Sequence, residues 1–323
     1  MKAVRKFLKR YLPKSLFGRA LLILLVPILI LLIAAPWWAG RADLRLMGEI
    51  ALYMSLATLW NLLAGYAGLV SVGQQAYVGL GGYLFFALTM LAGIDPYVAL
   101  PLAALAGAVI AAPVAVLIFR LRGAYFAIGT WVMAEVFRLT FAQVSSLGGG
   151  SGTSLSASIV RGMADGRSAR EAMAWWLALG VAVLVIGSVV LFLRSRQGVA
   201  LTAIRDNEVA ARSLGIDIWC TKFIVYVVTG GLTTLVGCLI FLQKLRISPD
   251  AAFSVNDWTA FVIFIVVIGG IGTIEGPIIG TLVFFALRET MADLGTLYLI
   301  ALGLVAIVIM LKAPRGLWGF FRD

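Results

Sequence analysis

Ala172-Met-Ala-Trp-Trp-Leu-Ala-Leu-Gly-Val-Ala-Val-Leu-Val-Ile-Gly-Ser-Val-Val-Leu-Phe-Leu193 carries no charge, and Glu171 and Arg194 close it on either side. As an α-helix it would extend about 33 Å, a little more than the roughly 30 Å hydrocarbon core of a bilayer. The rest of the 323-residue chain repeats the pattern: 62% of it is hydrophobic and 13% is charged. Counting glycine, about 73% is apolar, against about 45–50% in soluble domains. One core cannot hide that much apolar surface while the exterior stays wet. The expectation is an all-α polytopic membrane protein. There is no histidine, which excludes a Ser-His-Asp triad, an HExxH zinc site or His-ligated haem. Cys220 and Cys238 fall in one apolar segment, about 27 Å apart if helical, too far for a disulfide. The net charge of +11 is concentrated at the start, where residues 1–19 hold seven basic and no acidic side chains. That distribution suits a membrane surface better than nucleic acid.

Charge and turn residues divide the chain into about ten expected spans (eight to ten): Leu21–Trp38, Glu49–Ala64, Ala76–Leu91, Tyr97–Phe119, Gly123–Ala142, Ala172–Leu193, Ile218–Leu242, Trp258–Ile268, Pro277–Met291 and Leu294–Leu311. Arg41–Arg45 reads as a short loop, and 143–171 as the longest polar interval. Basic excess before Arg19, at Arg120/Arg122, over Arg194–Arg212 and at Lys312/Arg315 puts those loops and both termini in the cytoplasm. The resulting organisation is a basic segment 1–19, a membrane domain 20–312 with a cytoplasmic segment 194–217, and a tail 313–323. The first span reads as retained rather than as a signal peptide. Trp37, Trp38, Trp175, Trp176, Trp258 and Trp318 fit an interfacial aromatic belt.

Two glycine-rich regions align weakly at an offset of 199: Gly73 with Gly272, Gly81 with Gly280, and Phe85-Phe-Ala-Leu88 with Phe284-Phe-Ala-Leu287. Glycine-broken helices in two weakly repeated halves point to a pathway, because unwound backbone in a membrane is tolerated where it lines a cavity. Close helix packing is the alternative use of the same glycines.

Four blocks carry a family resemblance: Asn61-Leu-Leu-Ala-Gly-Tyr-Ala-Gly-Leu-Val-Ser-Val-Gly-Gln-Gln-Ala-Tyr77 running on to Tyr83, Leu121-Arg-Gly-Ala-Tyr-Phe-Ala-Ile128, Ala203-Ile-Arg-Asp-Asn-Glu-Val-Ala-Ala-Arg-Ser-Leu-Gly-Ile216, and Val267-Ile-Gly-Gly-Ile-Gly-Thr-Ile-Glu-Gly-Pro277. Over about residues 45–315 the chain resembles branched-chain amino-acid ABC transporter permeases of the LivM type. The resemblance implies a bacterial inner-membrane importer subunit that works with separate ATP-binding subunits, a second related permease and an external solute-binding protein. Urea permeases share nearly the same motifs. Many relatives carry histidine where Gln74 stands.

The chain has no GxxxxGK[ST] loop, so ATP hydrolysis belongs to partner subunits, and neither catalytic residues nor a cofactor or metal are expected. The resemblance also implies a coupling helix, in which a Glu-Ala-Ala pattern followed by glycine falls on Ala210, Ala211 and Gly215 with the acid, Glu208, one place early, on a segment read as one helix with Val199, Ala203, Ile204 and Ala211 on one face. Asn61, Ser71, Gly73, Gln74, Gly269, Gly270 and Gly272 are candidate pathway residues. Glu135 and Arg138 share a helical face within a span, as an ion pair or as part of the pathway. A membrane enzyme would need converging acids or a metal set, and Glu135, Glu275 and Glu289 are scattered. A channel or ion-coupled carrier would leave segment 196–217 without a role.

Overall fold

The computed structural model describes residues 27–164, 166–291, 297–312 and 316–321. Its longer helices are numbered here in chain order. They are α1 (Arg41–Asn61, continuing as a π turn Leu62–Tyr66), α2 (Gln74–Phe86, then a π turn Ala87–Leu91), α3 (Pro96–Ile118), α4 (Ala124–Ala142) and α5 (Arg167–Leu193). After them come α6 (Arg196–Asp206), α7 (Glu208–Ser213), α8 (Ile218–Lys244), α9 (Phe261–Gly269), α10 (Gly276–Thr290) and α11 (Leu297–Lys312). Strands β1 (Thr153–Ser154) and β2 (Arg246–Ile247) pair antiparallel in a two-residue ribbon. This is an all-α membrane protein.

Five segments among the described residues are long and apolar enough to cross a bilayer: Arg41–Tyr66, Pro96–Ile118, Arg167–Leu193, Ile218–Lys244 and Pro249–Gly269. Helices also occupy the described parts of the other expected spans, and α10, with 15 residues, is short of the roughly 20 that a bilayer asks for. The start of the expected first span, the basic segment 1–19 and part of the tail lie outside the described residues.

Three sequence expectations need correction. Arg41–Arg45 is not a loop: Gly40 and Asp43 start α1 there, and the Gly40 amide donates to the Asp43 carboxylate at 3.0 Å. The polar interval stops short of 171, because α5 begins at Arg167 and carries Glu171 into the helix bundle, where its side chain is paired and buried. Trp175 and Trp258 are not belt residues, being 3% and 2% exposed, whereas Trp37, Trp38 and Trp176 are exposed. A buried indole needs an acceptor. Trp175 Nε1 donates to Leu32 O at 2.8 Å, and Trp258 Nε1 to Ala251 O at 2.8 Å. Trp176 donates to Ile33 O at 3.0 Å, so two adjacent indoles hold the helix that precedes Pro36.

Helix α8 runs through the centre, packed against α1, α2, α3 and α5. Small residues set that packing: a Cβ at Gly81 would fall on the Thr234 carbonyl, and one at Gly237 on the Val78 carbonyl. Close backbone approach of this kind is how helices associate without a hydrophobic driving force between them. Cys238 is buried against the Gly81 carbonyl on α2, and Cys220 is exposed at the far end of α8; neither forms a disulfide.

Candidate functional site

The two glycine-rich breaks meet. Helix α1 ends in its π turn at Tyr66, and the chain between α9 and α10 is unwound from Gly270 to Glu275. Asn61 lies between them and uses both ends of its amide: Oδ1 accepts from Gly272 N at 2.8 Å, and Nδ2 donates to Thr273 O at 2.7 Å. Broken backbone inside a membrane leaves polar groups that must find partners. One buried asparagine supplies a partner of each kind. Gly272 has φ +75°, and a Cβ there would stand 3.2 Å from both Arg205 Nη1 and Gly65 O. Only glycine meets the backbone angle and the clearance together.

Arg205 completes this clasp. From the last turn of α6 its Nη1 donates to Gly65 O at 2.9 Å, capping a carbonyl of the α1 π turn. The same guanidinium pairs with Asp206 at 3.0 Å. Sequence reading missed Arg205. The only signal was its position inside the block Ala203–Ile216. Gly269 and Gly270 lie on the other side of the break, where the turn Leu317–Phe321 closes over them: a Cβ at Gly316 would fall against Gly270. Residues 316–321 are therefore packed at this end of the bundle.

Ser71, Gly73 and Gln74 sit deeper. Trp60 Nε1 donates to Ser71 O at 2.8 Å, and Ser71 Oγ accepts from Gly73 N at 3.2 Å. Gly73 lies against the backbone of Thr130 on α4, while Val72 N donates to Thr130 Oγ1 at 3.0 Å. Gln74 Nε2 donates to Leu56 O at 2.9 Å, and its Oε1 is buried with no hydrogen-bond partner among the described residues. Beside Gln74, Tyr77 and Tyr226 share a hydroxyl hydrogen bond of 3.0 Å. These residues line an interior that is closed in this conformation.

The polar segment is two helices, not one. Asn207 leaves helical geometry (φ −160°, ψ 107°), and its Oδ1 caps α7 by accepting from Val209 N and Ala210 N at 3.0 Å each. Of the expected face, Ile204 and Ala211 are buried, joined by Leu201, whereas Val199 is exposed. Ala211, at 1% exposure, packs inward. Val209, Ala210, Leu214 and Gly215 form the outer surface of α7 and its C-terminus. Val209 and Leu214 are 80% and 78% exposed. Gly215 ends α7 at φ +80°. Its amide donates to Arg212 O, and the Ile216 amide to Ala211 O, as a left-handed helix stop requires. Glu208 pairs with Lys222 on α8, so the acid of the motif holds the segment to its own chain. Both residues line a cavity of about 580 Å³ with Gly68, Arg122, Arg212 and Trp219.

Glu135 and Arg138 are joined and far from the clasp. Arg138 Nε donates to Glu135 at 2.9 Å, and its Nη1 reaches Asp250 at 2.7 Å. Asp250, from the short helix Pro249–Ala252, is a third member that sequence reading missed.

Among the described residues no group of three metal-ligating side chains occurs. What the site has is a polar surface segment tied by one arginine to the junction of two broken helices.

Comparison with known proteins agrees with that architecture. Residues 44–313 match the family described as branched-chain amino acid transport system / permease component. The chain is similar to the high-affinity branched-chain amino acid transport system permease protein LivM of Escherichia coli (strain K12), with 26% identity over 91% of this chain and 74% of the relative. The LivM protein of Salmonella typhimurium is similar to the same extent. No solved structure matches the chain. With most of its length matched, the chain belongs to the branched-chain amino acid transport permease family.

Proposed function

We propose that this chain is the membrane-spanning permease subunit of an ATP-driven, binding-protein-dependent importer of leucine, isoleucine and valine in a bacterial inner membrane. The observation that carries the mechanism is the hydrogen bond from Arg205 to Gly65 O beside Gly272. It connects the segment suited to an ATPase contact with the junction suited to gating. In this reading α7 presents Val209, Ala210, Leu214 and Gly215 to the ATP-binding subunit, with Ala211 and Glu208 fixing the helix from behind. Movement of α7 passes through α6 and Arg205 to the π turn of α1, and through Asn61 to the unwound chain before α10. Ser71, Gly73 and Gln74 flank the route that opens, and Gly269 and Gly270 allow the second break to move. Glu135 and Arg138 act as a structural ion pair. A related permease chain and an external binding protein complete the assembly.

The chain has ten spans in two weakly repeated halves, with both termini and segment 194–217 cytoplasmic. Positive charge supports that orientation. Cysteine labelling in intact cells tests it: position 160 should react from outside, and positions 5 and 206 should be protected. External labelling at 206 overturns the orientation. For function, proteoliposomes with all subunits should take up radiolabelled leucine only with ATP inside the ATPase compartment. Uptake without the ATP-binding subunits would instead mark a carrier, and preferential uptake of urea would reassign the substrate.

A further inference from the structure

At the end of the bundle opposite the clasp, a cavity of about 430 Å³ opens between the N-terminal halves of α1 and α5 and the C-terminal end of α8. Small-molecule sites span roughly 300–1,000 Å³, so it has room for an amino acid. Its apolar wall includes Leu44, Leu52, Trp175, Ile240 and Leu242. Its polar wall holds charges of both signs. Glu171 is 93% buried by its side-chain exposure of 7%; Arg45 holds one carboxylate oxygen, and the other has no hydrogen-bond partner among the described residues. A buried, half-satisfied carboxylate in a membrane span is costly and calls for a further donor. Lys244, in the same lining, stands 4.6 Å over the Trp258 ring, and none of the ion pairs among the described residues includes it. Glu49, also in the lining, is committed to Arg288 at 2.8 Å. The cavity thus has one carboxylate oxygen without a hydrogen-bond partner among the described residues, one ammonium near Asp257 and Glu49 but in ion-pair contact with neither, and an aliphatic surface beside them; Arg170 also lines it.

From these three features together we infer that the cavity is a binding site for a zwitterionic α-amino acid with an aliphatic side chain. The substrate ammonium would go to Glu171 and its carboxylate to Lys244, with its side chain against Leu52, Ile240 and Leu242. Neither charged partner serves alone, so an amide or a simple carboxylic acid would lose half of the recognition. This assignment rests on the importer reading above. It adds a position on the permease itself, at the end away from the ATPase-facing segment, where a released solute would be held before passage.

The test has two arms. In the first, tritiated leucine binds directly to the purified permease–ATPase complex without any binding protein. Saturable binding is expected, with leucinamide and 4-methylpentanoate at least about tenfold weaker as competitors. Lys244→Met and Glu171→Gln should each weaken leucine by about tenfold or more. Lys244 is exposed and belongs to none of the ion pairs among the described residues, so its replacement keeps the test decisive where the Glu171 variant proves unstable. Absence of saturable binding, equal competition by both analogues, or Lys244→Met binding like the parent overturns the site. In the second arm, uptake of leucine by the full wild-type importer is measured. Failure there removes the importer reading, while the first arm still decides whether the cavity holds an amino acid.

Discussion

The two ends of this bundle lean on different contacts to join their helices. At the clasp end, side chains grip backbone: Asn61 holds Gly272 N and Thr273 O, and Arg205 holds Gly65 O. At the other end, beside the indoles that hold Leu32 O, Ile33 O and Ala251 O, ion pairs carry the contacts: Arg45 with Glu171, Arg288 with Glu49, and Arg138 with Glu135 and Asp250. Contacts to backbone follow the path of the chain, so a change in a helix break is felt at once by the residue that holds it. Ion pairs between helices instead fix distances while leaving each helix whole. The first arrangement suits transmission and the second suits scaffolding.

That contrast is open to attack, beginning with Asn61. Asn61→Ala leaves a donor and an acceptor unpartnered, at about 1–3 kcal/mol for each. We expect loss of transport and a lower melting temperature in detergent. Asn61→Asp keeps the acceptor for Gly272 N and should recover part of the stability. Normal uptake by Asn61→Ala would remove the clasp from the mechanism. Next is Arg205→Lys, which keeps charge but loses the fork that reaches both Gly65 O and Asp206. ATPase binding should persist while ATP hydrolysis no longer drives uptake. Parallel loss of ATPase co-purification would show that Arg205 merely supports the docking surface.

Leu214→Asp isolates that surface. With the side chain 78% exposed, the variant should insert normally yet weaken ATPase co-purification by about tenfold, through desolvation of the new charge. Gly215 is a poorer probe, since its φ of +80° confounds bulk with backbone strain. Gly215→Asn tolerates that angle better than most side chains and should retain the contact, whereas Gly215→Val should not. At the scaffolding end effects should shrink. A double-mutant cycle on Glu49 and Arg288 should give a coupling of about 1 kcal/mol in detergent unfolding. Arg138→Lys should change stability by less than about 0.5 kcal/mol, because Glu135 and Asp250 are both largely exposed. A large transport defect there would return the pair to the pathway.

Helical spans were legible because runs such as Ala172–Leu193 have one economical fate in a bilayer. The glycine clusters were legible as breaks, since glycine density marks unwinding or close approach. Their meeting was not: Asn61 and Gly272 are 211 residues apart, and no local pattern encodes that pairing. Arg205 resembled any cytoplasmic arginine until its partner, a backbone carbonyl with no side-chain signature, came into view. Ala211 was assigned to docking because a spacing says which residues belong together without saying which way they face. The kink at Asn207 decides that. Glu171 was left in a polar interval because its neighbours Arg167 and Arg170 are charged, and the helix that starts among them carries it inward.

Pro36 has no amide proton, so Leu32 O lacks the donor that a helix would supply four residues on, and Trp37 N donates to Ala34 O at 3.0 Å. Trp175 and Trp176 make up the difference at Leu32 O and Ile33 O. Those donors lie 143 residues downstream in both cases. During synthesis the helical stretch before Pro36 therefore enters the bilayer with two carbonyls, Leu32 O and Ile33 O, whose partners arrive only with α5. Insertion of α5 is then also the step that fixes the turns around Leu32 and Ile33, and chains truncated before Trp175 should hold that helical stretch loosely in the membrane.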